Sequence, residues 1–372
     1  MKYIPLVQVC DFQGGSQPPK DQWICYEKEG YIRMLQIRDF TQPNKDNVEF
    51  VRISKTIKTC NEDDILIGRY GASVGKILTG LAGAYNVAII KTIPDTSKLS
   101  KRFLYHYLNS PYFQNFILSV GSRAAQAGFN KDDLSDAQIP DLSLEEQSNV
   151  VSQLDKVTEM ITLRKEQLAK LDELVKSRFV ELFIGKGYPV TSIKELLVQN
   201  STVEKISNTK IEKFVTVGIK GKGAREREIK DGKWPVPFSG YRVKEGQFIY
   251  SRIDARNGAF AILPKEVDGA VVSKDFPVFE IKADKMLPNV LLFSVLQDDF
   301  VRQIQNSSFG ATNRQRIQEE VFGEYTITLP PMEIQNQFAA FVEQTDKSKL
   351  AIQESLAELE TLKKALMQKY FG

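Results

Sequence analysis

The chain has 372 residues, 42% of them hydrophobic and 26% charged, which is the balance of a folded protein of two or so domains and excludes a disordered one. Its 50 Lys and Arg stand against 47 Asp and Glu, so the net charge of +3 excludes a globally polycationic nucleic-acid binder and leaves room for a local basic surface. One histidine, His106, and three cysteines without Cys-x-x-Cys spacing (Cys10, Cys25, Cys60) argue against histidine triads, multi-histidine metal sites, zinc fingers and a disulfide framework, and suit a reducing cytoplasm. The best apolar run, Gly80 to Ile90, is broken by Asn86 and falls short of the ~20 residues of a membrane span. The expectation is a soluble, cytoplasmic protein with no membrane partner.

In chain order, Val, Ile, Phe, Gly and Asp punctuation over residues 30–95 predicts many short strands. Within it, Glu62-Asp63-Asp64-Ile65-Leu66-Ile67-Gly68-Arg69 reads as a turn entering a short strand that ends on Arg69. Gly71 to Ile77 resembles a phosphate-binding loop, but Tyr70 stands where its first glycine belongs and Ile77 where a magnesium-binding hydroxyl belongs. Its Lys76 is kept as a phosphate-contact candidate. Phe103 to Val120 reads as helical, with His106 structural and Asn109-Ser110-Pro111-Tyr112 a turn or helix start. A polar loop follows, with Arg123 and Gln126 and then Asn130 and Lys131. Arginine on guanine, and asparagine or glutamine on adenine, are the usual base-edge pairings.

Next comes an anchor, Ile139-Pro140-Asp141-Leu142-Ser143-Leu144-Glu145-Glu146-Gln147, and then a stretch with 4-3 spacing: Val150, Leu154, Val157, Ile161, Arg164, Leu168, Leu171, Val175, Arg178 and Leu182. Sustained 4-3 spacing presents one apolar seam to one partner helix. Gly185-Lys186-Gly187-Tyr188-Pro189 is a joint.

The second half repeats this plan. Residues 205–233 carry nine basic groups against four acidic ones, among them Lys220, Lys222 and Arg225 in a glycine-rich segment able to follow a phosphate backbone. Such a run also serves as an ordinary solvated face. Glu245-Gly246-Gln247-Phe248-Ile249-Tyr250-Ser251-Arg252 matches the earlier strand ending on arginine, and Gly258 matches Gly75 at the same offset; Arg256 lies in the turn between, and Arg69, Arg252 and Arg256 join the candidate nucleic-acid contacts. Leu291 to Asn306 reads as helical and precedes a second polar loop with Asn313, Arg314, Gln315 and Arg316. The second anchor, Leu329-Pro330-Pro331-Met332-Glu333-Ile334-Gln335-Asn336-Gln337, leads into Phe338, Val342, Thr345, Lys349, Ile352, Leu356, Leu359, Lys363, Leu366 and Tyr370.

The chain is therefore a repeat of about 190 residues. One such stripe alone could be an amphipathic helix packed on its own domain. Two of matched length make an antiparallel intramolecular pair the economical arrangement, with Leu154, Val157, Ile161, Leu168, Leu171, Ile352, Leu356, Leu359 and Leu366 on the seam. Each helix is expected to run about 35 residues, roughly 50 Å. The partition is 1–140 for the first globular part, 141–185 for the central helix, 186–330 for the second globular part and 331–372 for the last helix. The fold class is α+β: two mixed α/β globular parts joined by the two helices, with pseudo-two-fold repetition. A nuclease reading of Pro140-Asp141 with Glu145-Glu146 fails for want of the downstream lysine, so no catalytic residue and no metal site is expected.

This pattern closely resembles the specificity subunit of type I restriction–modification enzymes. The resemblance rests on the two Pro anchors with their trailing Gln, the two heptad helices, and the endings Phe183-Ile184-Gly185 and Phe371-Gly372. It rests too on the strands reaching Arg69 and Arg252 and the early Gly14-Gly15-Ser16-Gln17-Pro18-Pro19 turn, and it covers essentially the whole chain. It implies that each globular part is a target recognition domain reading one half of a bipartite, asymmetric double-stranded DNA sequence. It implies that the helices hold the domains apart in opposite orientation and dock two modification (methyltransferase) subunits, which restriction (translocase–nuclease) subunits join. The chain would bind no cofactor itself, with S-adenosylmethionine, ATP and magnesium on the partner subunits. A second reading stays open: a non-catalytic coiled-coil scaffold with two binding modules not directed at DNA.

Overall fold

The heptad stretches fold as two helices of 40 residues each, Leu144–Phe183 and Met332–Phe371, about 60 Å apiece at 1.5 Å per residue. The central helix exceeds the expected 35 residues because it starts inside the Pro anchor. Ser143 and Glu146 form a reciprocal cap: the Ser143 backbone N–H and hydroxyl both donate to Glu146 Oε2 at 2.8 Å, and the Glu146 N–H donates to Ser143 Oγ at 3.3 Å. The computed structural model describes residues 2–42, 48–121, 128–307 and 316–372. It divides into two compact units, Met1–Glu166 with Gln353–Gly372, and Gln167–Ile352, so each unit takes a globular part and one half of each long helix.

The same core topology recurs in both units. In the first, strands Cys10–Gly14, Ile89–Pro94, Leu66–Gly68 and Ile77–Leu78 neighbour one another in that order; in the second, Leu197–Gln199, Val278–Ile281, Phe248–Tyr250 and Phe260–Ile262 do the same. All these pairings are antiparallel. A short ribbon closes each base: Tyr3–Pro5 on Gln138–Pro140, and Val190–Ser192 on Thr326–Thr328. The repeats differ in their other sheets. The first unit adds five strands, including a parallel pairing of Met34 and Leu35 with Ala84 and Tyr85, and the second a three-stranded sheet and a separate hairpin.

Two helices follow the sheet in each unit, Lys101–Leu108 and Pro111–Gly121, then Pro288–Val295 and Asp298–Ser307. Within the helical stretch Phe103 to Val120, Asn109 and Ser110 separate two helices, at the turn or helix start read from Asn109-Ser110-Pro111-Tyr112. Pro111 suits a helix start, because its missing N–H would lack an intrahelical partner there anyway, and Ser110 Oγ accepts from the Phe113 N–H at 3.3 Å.

The seam is filled unevenly. In the first unit Leu154 is buried with Met367, Tyr370 and Phe371, and Val157 and Ile161 pack with Leu359, Leu356 and Leu366. Rising numbers on one helix meet falling numbers on the other, so the segments run antiparallel. In the second unit Val175, Phe179 and Phe183 join Phe338 and Val342. Leu168, Leu171 and Ile352, nearer the helix middles, are half-buried, and there Lys349 pairs with Asp172 at 2.6 Å.

One residue of each anchor fastens its helix to the globular part. Gln147, 2% exposed, accepts from the Ser100 N–H at 2.9 Å and donates to the carbonyls of Lys98 and Leu142 at 2.7 and 2.9 Å. Gln335, 0% exposed, accepts from the Leu287 N–H and donates to the carbonyls of Lys285 and Pro330, all at 2.9 Å. Among the described residues no helix is long and apolar enough to cross a membrane.

Candidate nucleic-acid interface

Arg123, Gln126, Asn313, Arg314 and Gln315 lie outside the described residues, but the ends of the chain that hold their loops are clear. Each globular part returns from its polar loop onto the arginine just past its strand; the strands stop at Gly68 and Tyr250, so Arg69 follows by one residue and Arg252 by two, short of the strand ends expected on arginine. The Phe129 N–H donates to the Arg69 carbonyl at 3.3 Å, and the Ile317 N–H donates to the Arg252 carbonyl at 3.0 Å. The side chains reinforce the junction. Arg69 Nε donates to the Phe129 carbonyl at 3.2 Å. Arg252 forms an ion pair with Glu319, which also accepts from Gln199 Nε2 at 3.1 Å, and Tyr250 donates its hydroxyl to the Ile317 carbonyl at 3.1 Å. A half-buried guanidinium facing a buried carboxylate is a fixing device, since leaving either charge unpaired costs more than an exposed pair contributes.

The flanking residues are also held. Lys131 pairs with Asp11, and this bond, with the Phe12 N–H, keeps the Asp11 carboxyl below the usual carboxylate range. Asn130 Oδ1 accepts from the N–H groups of Asp132 and Asp133 at 2.7 and 3.1 Å, capping the turn it begins. Arg316 grips Asp275 with two bonds, at 2.8 and 3.3 Å.

After each strand the chain turns on a left-handed glycine, Gly75 at φ +78° and Gly258 at +72°, where a side chain would be strained. A glutamine from the helix leading to the loop binds that turn. Gln114 Nε2 donates to the Gly75 carbonyl at 2.9 Å, and Gln305 Nε2 to the Arg256 carbonyl at 2.8 Å. Lys76 is exposed just beyond the first turn.

In the second unit the basic segment closes on the same place. The Lys220 N–H donates to the Asn257 carbonyl at 2.8 Å and the Gly221 N–H to the Gly258 carbonyl at 3.0 Å. Lys220 itself has a left-handed backbone, φ +56°, in a tight turn where the Gly218 N–H meets the Gly223 carbonyl at 2.8 Å. Lys220 and Lys222 are exposed on this turn, and Arg225 is exposed on the strand beyond, across from Thr216.

Arg69, Asn130 and Lys131 thus gather at one loop, Arg252, Arg256, Lys220, Lys222 and Arg316 at the other. Tyr70 adds a candidate that charge and amide patterns pass over. It bridges to Gly128, is 42% exposed and carries the Arg69 guanidinium 5.0 Å from its ring centre, and an exposed ring beside a loop can stack on a base. Its only sequence signal is its place next to the arginine. His106 lies elsewhere, buried, with Nε2 2.7 Å from Asp155 Oδ1 on the central helix.

A family model described as the type I restriction modification DNA specificity domain matches residues 1–173 and again 190–361. The specificity subunit of the type I restriction enzyme EcoBI of Escherichia coli is 24% identical over 171 residues, 43% of this chain and 36% of that protein, so the match spans about a third of that relative. A solved structure described as the basis of complex assembly and conformational transition of the type I R-M system is 16% identical. It superposes with a TM-score of 0.60 over 100% of this chain and 97% of that one. The S subunit of a type I restriction–modification system from M. genitalium is 13% identical, with a TM-score of 0.57 over 100% and 96%. At these identities the two structures speak for the fold alone.

Proposed function

The chain belongs to the type I restriction–modification DNA specificity family, and we propose that its two globular parts each read one half of a bipartite, asymmetric double-stranded DNA target. As a specificity component it selects DNA and leaves catalysis to other chains. In this reading the long helices dock two modification (methyltransferase) subunits, and restriction subunits join that complex. S-adenosylmethionine, ATP and magnesium belong to those partners, and the work is done in the cytoplasm.

The observation supporting the reading is the matched junction in the two units: an arginine just past a strand, a left-handed glycine turn and a glutamine brace beside the described ends of each polar loop. Two junctions built alike on matching four-stranded sheets, in units whose other sheets differ, suit two readers of different sequence. Arg123 and Gln126, and Asn313, Arg314 and Gln315, are assigned to base edges by their side-chain chemistry, the usual pairings of arginine with guanine and of asparagine or glutamine with adenine. Lys76, Lys220, Lys222, Arg225 and Arg256 meet phosphates. Arg69 and Arg252, with Asn130, Lys131 and Arg316, hold the loop ends at the groove.

The test is to map methylated DNA in cells carrying the complete complex, with the chain unaltered and with Arg123→Ala or Arg314→Ala. The expected result is a two-part motif in which each substitution relaxes one half and leaves the other as it was. A single contiguous motif, or an even loss at every sequence, would overturn it.

A further inference from the structure

We propose that Gln147 and Gln335 are positioning residues that set the spacing at which two half-sites are accepted together. The inference rests on the bipartite reading above. It starts from a coincidence of geometry: two glutamines in different units make the same three hydrogen bonds.

Each sits in the first turn of a long helix. Each accepts the backbone N–H of a residue that caps a shorter helix, Ser100 before Lys101–Leu108 and Leu287 before Pro288–Val295. Each gives one amide hydrogen to a carbonyl two residues before that cap, and the other to the carbonyl five residues before itself. Only a primary amide offers two donors and an acceptor from one planar group. An ionised glutamate offers no donor, and methionine of similar length offers no donor and only a weak acceptor.

Apolar packing already holds these helices to their cores, with Phe103, Leu154 and Phe371 in one cluster and Phe338, Val290 and Leu291 in the other. Packing resists separation but tolerates small rotations. Hydrogen bonds weaken steeply with misalignment, so the amide adds an angular constraint between helix and reader. The capped helix leads through its successor to the polar loop. An angle fixed at the glutamine is therefore carried to the helices Pro111–Gly121 and Asp298–Ser307, from which the polar loops depart.

The angle matters because DNA is helical. One base pair more or less between half-sites displaces a reader by about 3.4 Å and turns it by about 35°. A stiff joint rejects that change and a loosened one tolerates it. The amide is thereby assigned to spacing, and the loop residues to sequence.

The test uses the complete complex of this chain with its modification subunits. Methylation rates are measured on duplexes carrying the native spacer, a spacer one base pair longer or shorter, and the native spacer with one half-site altered. Gln147→Met, Gln335→Met and the corresponding Ala variants are compared with the unaltered chain. The expected result is that the preference for the native spacer falls by about tenfold, the weight of one lost buried hydrogen bond, while both half-site sequences are read as before.

An unchanged spacer preference with lower overall rate overturns the proposal, because the glutamines then serve stability alone. So does a changed half-site sequence, or failure of both the Met and the Ala variants to form a complex. If the unaltered chain shows no two-part target at all, the proposed function fails instead.

Discussion

His106 and Phe293 occupy the same step of matching helices, six residues past the caps Ser100 and Leu287, and reach the long helices by opposite means. His106 meets Asp155 at 2.7 Å, and Arg102 Nε adds bonds of 2.8 and 3.1 Å to the same carboxylate. Phe293 packs on Phe338 and Phe179, with ring centres 5.2 and 5.9 Å away, and both of those rings lie against Phe183. One joint is charged and titratable; the other is a cluster of rings. What the two share is the glutamine clamp beside them. The place demands filled volume and satisfied groups, and leaves the chemistry of the filling free to drift.

The contrast can be broken most severely in the ring cluster. Phe338→Ala removes the ring that touches three others and should cost about 3–5 kcal/mol. Hydrogen exchange should show it as lost protection in helix Pro288–Val295, and unchanged exchange there would refute the cluster's role. Asp155→Ala should cost less, about 1–2 kcal/mol, because it strands the buried imidazole while solvent already screens part of the 37% exposed carboxylate. Its effect should appear in helix Lys101–Leu108 and spare the second unit.

Acid separates the two joints more gently. Burial holds the His106 pKa below its ordinary value, against the opposing pull of Asp155, with Arg102 and Lys363 adding to the lowering. The unfolded chain then takes up this proton more readily than the folded one. The stability linked to His106 is whole above about pH 6.5 and is lost as pH falls through the lower folded value. Between pH 7 and 5 the first unit should lose protection while the second, joined by rings, stays level, and His106→Phe should flatten the difference. A smaller effect is expected on the surface. Lys220→Ala with Lys222→Ala should weaken DNA binding by the complete complex evenly across sequences and reduce its logarithmic salt slope by about two; Lys76→Ala in the other unit should reduce it by about one. A sequence-dependent loss would move these lysines from phosphate contact to base reading.

The repeat, the two helices and the short strands leading toward an arginine were readable because each is a periodicity or a local order. The anchor was visible as spacing, but its meaning was not. Nothing in Leu142 to Gln147 announces that an amide will meet Ser100 and Lys98 nearly fifty residues earlier. The extra helical turn was present in plain letters, Ser143-Leu144-Glu145-Glu146, which is a capping box. Arg69 and Arg252 stand in the sequence as DNA-contact candidates, but composition cannot show which way a guanidinium faces, and their partners Phe129 and Glu319 lie about sixty residues away. The parallel pairing of Met34 and Leu35 with Ala84 and Tyr85 has no local signature at all, since strands of two or three residues carry too few alternations to declare a face.

The division of the long helices between the units sets an order on the ribosome. The second unit, residues 167–352, is a single continuous stretch, whereas the first needs residues 353–372 to supply Met367, Tyr370 and Phe371 to its core. The part made first is completed last. Until residues 353–372 emerge, Leu154, Phe103 and Tyr107 lack Met367, Tyr370 and Phe371, and the first unit keeps an open apolar face while the second closes. A nascent chain of this design is most exposed to aggregation and proteolysis in its N-terminal half, and a truncation that removes the last helical turns would be felt at the opposite end of the sequence.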